Sequence, residues 1–273
     1  MAPISFGRSI SFPLSPARSK PRTAAPCHVR SISLPCRSHP LLSHLHSHIA
    51  AVRSWLVQDY SSVSAGLAHI HALHAAFAEL LLLPDAQYTL RHATAAADRL
   101  LHAFLLLADA HQSFQEAVLA LRQDVAEARA AIRRGDAARL ASAVRSQRRA
   151  EKELSRLAST VSAGAAAKHA RLGLGASAEE TEMAGALMEA ASASAAASAA
   201  VFSAAASMTS AAASSCKKTP AFAGSCKKAA SETVEKLEEL ERCIDECDSS
   251  CHKVLRSIVH TRVALLNIQT PTI

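Results

Sequence analysis

Between residues 100 and 132 the chain repeats itself every seven positions. Leu100, Phe104, Leu107, His111, Phe114, Val118, Leu121, Val125, Ala128 and Ile132 follow one another at alternating intervals of four and three. Only an α-helix brings such positions onto one side, and the side is narrow enough to be a seam between packed helices. A helix from about residue 93 to 134 is ~60 Å long at 1.5 Å per residue. Gly135-Asp136 then reads as a helix stop followed at once by a new N-cap. The next helix, about residues 137–162, has a weaker seam (Leu140, Val144, Leu154, Val161) and many arginines. Two long helices joined by so short a turn are expected to fold back as an antiparallel hairpin.

The same spacing returns near the end of the sequence. Leu237, Leu240, Ile244, Cys247, Cys251, Val254, Ile258, Thr261, Leu265 and Ile268 mark a last helix, with Ser231 as a cap and Pro271 as its stop. Two shorter helices precede the hairpin. One carries Leu42, Leu45, Ile49 and Val52; the other runs from about Ser62 to Leu83 and stops at Pro84, where "LPDAQYTL" reads as a turn and a short helix. The expected fold class is all-α: an elongated antiparallel helical bundle over residues 41–270 with coiled-coil-like seams, the last helix packed on the hairpin. Aromatic residues make up only 4% of the chain, so alanine supplies much of the apolar surface.

Residues 164–228 differ from the rest. "LGLG" at 172–175 breaks helix, and the Ala/Ser stretch 177–213 favours helix but offers little area to bury. The stretch 190–215 is uncharged, yet no window of 18 strongly apolar residues marks a membrane span. "SCKKTPAFAGSCKK", residues 215–228, reads as an exposed loop. Residues 1–40 hold seven prolines among small polar and basic residues, and this composition predicts a disordered tail.

Charge divides the chain as well, at Asp59. Of the 30 Lys/Arg, seven precede Asp59, the first acid, leaving 23 cations to balance 23 acids in the remainder. The basic pI therefore belongs to a tail on a neutral body, which argues against nucleic acid as a partner. Basic residues also crowd positions 129–156. Arg133, Arg134, Arg145, Arg148 and Arg149 form a candidate surface for phosphate, anionic lipid or an acidic partner; the alternative is a solvated face paired to neighbouring carboxylates. No aromatic residue interleaves with them, so base stacking is not supported.

The seven cysteines are odd in number, lack a C-x-x-C pair, and follow no secretory signal, which favours a reducing intracellular setting. Cys243, Cys247 and Cys251 share one helix face beside His252; packing is the expectation, a redox or metal role the alternative. His44 and His48 stand four apart and His71 and His74 three apart, spacings compatible with zinc. No carboxylate or thiol lies near either pair in sequence, so a solvated surface is expected, and His111 is expected to be a hydrogen-bonded core residue. No nucleophile with its base, Gly-rich phosphate loop or paired buried carboxylate is evident. A non-enzymatic protein without a cofactor is expected.

One motif occurs twice. "RSISFP" (Arg8–Pro13) and "RSISLP" (Arg30–Pro35) stand 22 positions apart. A phosphate on Ser11 or Ser33 adds nearly two negative charges and three acceptor oxygens for an arginine cluster to grip. Arg8 and Arg30 suit a basophilic kinase, and Pro13 and Pro35 turn the chain out of a groove. The pattern is similar to the docking motif of 14-3-3 proteins. Two copies on one flexible segment let a dimeric reader gain avidity. The rival reading is an organelle transit peptide, being Arg- and Ser-rich and free of acid, with the chloroplast as destination.

Three stretches carry a family resemblance: "HVRSISLPCRSHP" (His28–Pro40), "LLLPDAQYTL" (Leu81–Leu90) and "LEELERCIDECDSSCHKVLRSIVHTRVALLNI" (Leu237–Ile268). They resemble the plant-specific family related to BYPASS proteins, and the likeness covers roughly residues 28–270. The Ala/Ser composition of 159–228 departs from it. The resemblance implies an all-helical protein without a known catalytic site and a role in root and shoot development or related signalling. Taken together, the expected function is a regulatory or adaptor protein with a phospho-switchable tail, cytoplasmic or peripheral at a membrane. The alternatives are an imported structural protein and a peripheral protein on anionic lipid.

Overall fold

Helix boundaries fall where the backbone chemistry puts them. In the computed structural model, which describes residues 39–58, 62–165, 178–218 and 227–270, every regular element among the described residues is an α-helix. In order they are α1 (Pro40–Gln58), α2 (Val63–Leu81), α3 (Pro84–His92), α4 (Thr94–Arg134), α5 (Ala137–Ala165), α6 (Ala178–Lys218) and α7 (Lys227–Gln269). They belong to one compact unit, Ser38–Ile273. The tail expected over residues 1–40 lies almost wholly outside the described residues. Pro40 itself is not tail: it opens α1, in the first turn, where a missing N–H costs nothing.

Ser62 caps α2, its hydroxyl accepting from the Ala65 N–H at 3.3 Å. Pro84 begins α3 rather than merely ending α2. The α4–α5 corner is built as the sequence predicts. Gly135 has φ 67°, a left-handed conformation that glycine adopts without a Cβ penalty. Its N–H and that of Asp136 donate to the Ile132 and Ala131 carbonyls at 3.2 and 2.9 Å, closing α4. The Asp136 carboxylate then accepts from the Arg139 N–H at 3.0 Å, opening α5. Ser231, by contrast, caps nothing: α7 starts four residues earlier, at Lys227.

All the seam residues of α4 from Leu100 to Ala128 are buried, and all ten of α7 are too. The two helices run antiparallel. Arg91, just before α4, donates to the Ile268 carbonyl at 3.2 Å; further along, Arg122 meets Asp245 at 3.2 Å, and Arg129 meets Glu238 and Glu241. α5 folds back on α4, as expected of the hairpin.

At α6 the helix expected from residues 177–213 is present, but the expectation that it has little to bury fails. This alanine- and serine-rich helix packs against all six other described helices, and no other helix does so. Its small side chains each bury little, but they are buried on most sides, from Ala184 and Leu187 through Ala197, Val201 and Phe202 to Ala212 and Cys216. Its open face, with Ser192, Ser203, Ser207 and Ala211, is made of the same small residues as its buried faces, so it shows no stripe. Small residues let neighbouring backbones come close. At Gly66 of α2 an added Cβ would stand 2.5 Å from Val201 of α6 and 2.6 Å from the Trp55 ring of α1. Two of the polar residues buried in α6 satisfy themselves on the preceding turn: the hydroxyls of Ser198 and Thr209 donate to the Ser194 and Ala205 carbonyls at 2.9 and 2.8 Å. By length and composition α6 is apolar enough to cross a membrane, but 56% of its most apolar window is covered by the other helices, as in the core of a bundle. The loop expected at 215–228 is also shorter than that: Ser215–Lys218 end α6, with Cys216 buried, and Lys227 already belongs to α7.

Candidate interaction surfaces and buried polar groups

The arginines singled out from the sequence do not converge on a point. Arg133 and Arg134 end α4, exposed, where positive charge suits the C-terminal dipole. Arg145 and Arg149 are exposed on α5, the latter roughly 18 Å along the helix from its start. Arg148 is half-buried. Some of the neighbouring cations are paired: Arg129 with Glu238 and Glu241 of α7, Arg139 with Asp136, Arg156 with Glu153. Arg133, Arg134, Arg145 and Lys152 have no ion pair among the described residues. Arg149 lies close enough to Asp124 to oppose the rise that burial gives that carboxyl. These exposed cations are spread from the end of α4 over about four turns of α5, too far apart to share one small anion.

The histidine pairs separate into three situations. His44 and His48 face each other on α1, Nε2 to Nε2 at 3.1 Å. The carboxylate missing nearby in sequence comes from α2: Glu79 stands 3.7 Å from His44 Nδ1. Burial, and then the neighbouring His44, hold the His48 imidazole below its ordinary range. His71 and His74, however, are split, His71 facing out and His74 turned into the core. Among the described residues no three His, Cys, Asp or Glu side chains gather as a metal-ligand set.

His74 and His111 meet two serines one turn apart on α6. His74 Nε2 lies 2.7 Å from Ser194 Oγ, and His111 Nε2 lies 2.8 Å from Ser198 Oγ. The Ser198 hydroxyl is already donated to the Ser194 carbonyl, so His111 must donate through Nε2–H, leaving Nδ1 as a bare acceptor. Aromatic rings surround the two imidazoles: Phe104 edge-on to His74 at 5.4 Å and Phe202 to His111 at 5.1 Å. Both histidines are fully buried, and burial pushes each down to about 3. A Ser–His contact at this distance resembles an activated nucleophile, but an imidazole so weakly basic takes no proton from serine near neutrality. The pairs lock α2 and α4 in register on α6. Sequence reasoning placed His111 in the core and missed its partner. It missed the His74–Ser194 pair altogether, since 120 residues separate them. The available signal was two serines, four apart, inside an alanine run.

The cysteines divide as well. Cys216, Cys247 and Cys251 are buried, and burial raises the Cys216 and Cys251 thiols to about 11 and about 12. Cys243 is only half-buried, with its sulfur 4.0 Å from that of Cys247. It lines an open groove of about 220 Å³ between α7 and the start of α2. A larger groove, about 590 Å³, runs between α5 and α6 over Ser155, Ser159, Ser203 and Ser210. His252, adjacent to Cys251 in sequence, faces out and pairs with Gln115 of α4 at 2.8 Å, so it joins no cysteine site. Arg8, Ser11, Pro13, Arg30, Ser33 and Pro35 lie outside the described residues.

Compared with known proteins, residues 66–268 match the sequence model of the family described as Protein BPS1. No curated protein and no solved structure matches the chain.

Proposed function

The chain belongs to the BPS1 family, and from that premise we propose that it is a non-enzymatic regulatory or adaptor protein of plant developmental signalling, in root or shoot, held by a phosphopeptide reader through its N-terminal segment. The observation that carries this reading is the duplicated Arg-Ser-Ile-Ser-x-Pro at Arg8–Pro13 and Arg30–Pro35, in a stretch of seven cations and no acid. The second copy ends five residues before α1 begins. The character of the trunk supports the reading: its buried histidines are neutral, and many of its charges cross-link helices. A 14-3-3 dimer fits the motif's chemistry, one groove per phosphate, and the reading puts the protein in the cytoplasm.

The test is a binding measurement on the full chain. Phosphorylation at Ser11 and Ser33 by a basophilic kinase should create 14-3-3 binding that S11A/S33A lacks. Each single substitution should weaken binding by about tenfold or more, because the second site acts at high effective concentration. Equal binding by phosphorylated and unphosphorylated chains contradicts the reading. So does a mature protein from plant tissue that starts beyond Ser33, which would assign the segment to organelle import.

A further inference from the structure

We propose that Cys243 is a peroxide-reactive thiol that resolves into an intrahelical disulfide with Cys247. Three geometric facts lead there. Cys243 is the one described cysteine that is not buried, and it lines the groove between α7 and α2. Its sulfur already lies 4.0 Å from a second thiol one turn away. The groove wall opposite is Ser62, Val63 and Ser64, the N-terminal end of α2, where the helix dipole is positive. Arg242 lines the groove as well; Glu239 and Glu246 oppose it there. The contact with the Cys247 sulfur draws Cys243 below the ordinary cysteine range, against burial, Glu246 and Glu239, which raise it. The same contact, and then burial, push Cys247 upward. Cys243, on the groove, is the sulfur a peroxide can reach, and Cys247, buried behind it, is the partner that resolves.

The chemistry balances with a hydroperoxide as oxidant. The Cys243 thiolate attacks the nearer peroxide oxygen, the O–O bond breaks, and with one proton the products are a sulfenic acid and water or an alcohol. The Cys247 sulfur, losing its proton, then displaces hydroxide from the sulfenic sulfur; a second water leaves and the S–S bond forms. Residues i and i+4 of a helix have Cα atoms about 6 Å apart, within a disulfide's range, but Cβ atoms about 5–6 Å apart, beyond the ~4 Å it takes, so the bond closes only with a local distortion of α7. Closing the bond draws Cys247 out of the α7 seam, where it is 2% exposed. Oxidation at the groove therefore reaches the packing of α7 on the bundle.

The experiment uses the full chain, fully reduced and folded. In a short iodoacetamide pulse followed by peptide mapping, Cys243 should be alkylated at least about tenfold faster than Cys216, Cys247 and Cys251. One equivalent of hydrogen peroxide should yield a Cys243–Cys247 disulfide in the non-reducing map. In C247A the disulfide disappears and dimedone trapping on Cys243 rises several-fold; C247S serves as a second variant should alanine loosen the seam. Labelling of Cys216 or Cys251 as fast as Cys243 overturns the proposal, and so does dimedone trapping on Cys243 that is the same with and without Cys247. The wild-type labelling order is informative even if both variants fail to fold.

Discussion

Acidifying the protein from neutral pH to pH 5 is expected to remove roughly 4 kcal/mol of folding stability, through two side chains. His74 and His111 are buried without charge and are held down to about 3 in the folded state, against an ordinary value of 6.5. Above 6.5 both states are neutral and the full stability is present. Below 6.5 the unfolded chain takes up protons that the folded one refuses. Stability then falls by about 1.4 kcal/mol per pH unit for each histidine, continuing until the folded value is reached. Domains of this kind are stable by only about 5–15 kcal/mol, so the loss at pH 5 is a large share of the total. Urea midpoints at pH 7.5, 6 and 5 measure it. The H74Q/H111Q variant keeps a side chain able to meet Ser194 and Ser198 but cannot titrate, and its midpoints should depend on pH less than half as steeply. A wild-type midpoint that is flat between pH 7.5 and 5 contradicts the prediction.

The second large effect is at Phe202. Its ring is fully buried, 4.7 Å from Phe114 and 5.1 Å from His111, at the point where α4 crosses α6. F202A should cost about 3–5 kcal/mol, the sum of lost burial and of a hole that alanine neighbours on α6 cannot fill. L119A serves as the comparison. Leu119 sits on α4 but is 45% exposed, so its removal should move stability by no more than about 0.5 kcal/mol. Urea denaturation of both variants at pH 7.5 decides the matter, and equal costs would count against a core centred on α6.

What could be read from the sequence depended on contrast. In α4 and α7 large apolar residues alternate with charges at intervals of four and three, so the buried side, the length and the hairpin through Gly135 were legible. The α7 acids were legible as a run, and folding alone shows that Glu238, Glu241, Asp245 and Asp248 face Arg129 and Arg122 across the seam. In α6, 25 of the 41 residues are alanine or serine. Its open face, with Ser192, Ser203, Ser207 and Ala211, has the same small residues as its buried faces, so burial leaves no period in the sequence: the helix was legible, its central place was not. The site chemistry was illegible for a related reason. Ser194 tells nothing of His74, and Cys243 tells nothing of Ser62, until the fold brings together residues more than a hundred positions apart.

The account rests on α6 as the axle around which the other helices pack. Amide hydrogen exchange on the intact protein, followed peptide by peptide, tests that most directly. The account predicts that the amides of residues 185–213 exchange last, later than those of α1 and α5 and at the rate set by global unfolding. Exchange of α6 ahead of α4 and α7 would mean that the alanine helix is an appendage, and would contradict the architecture described here.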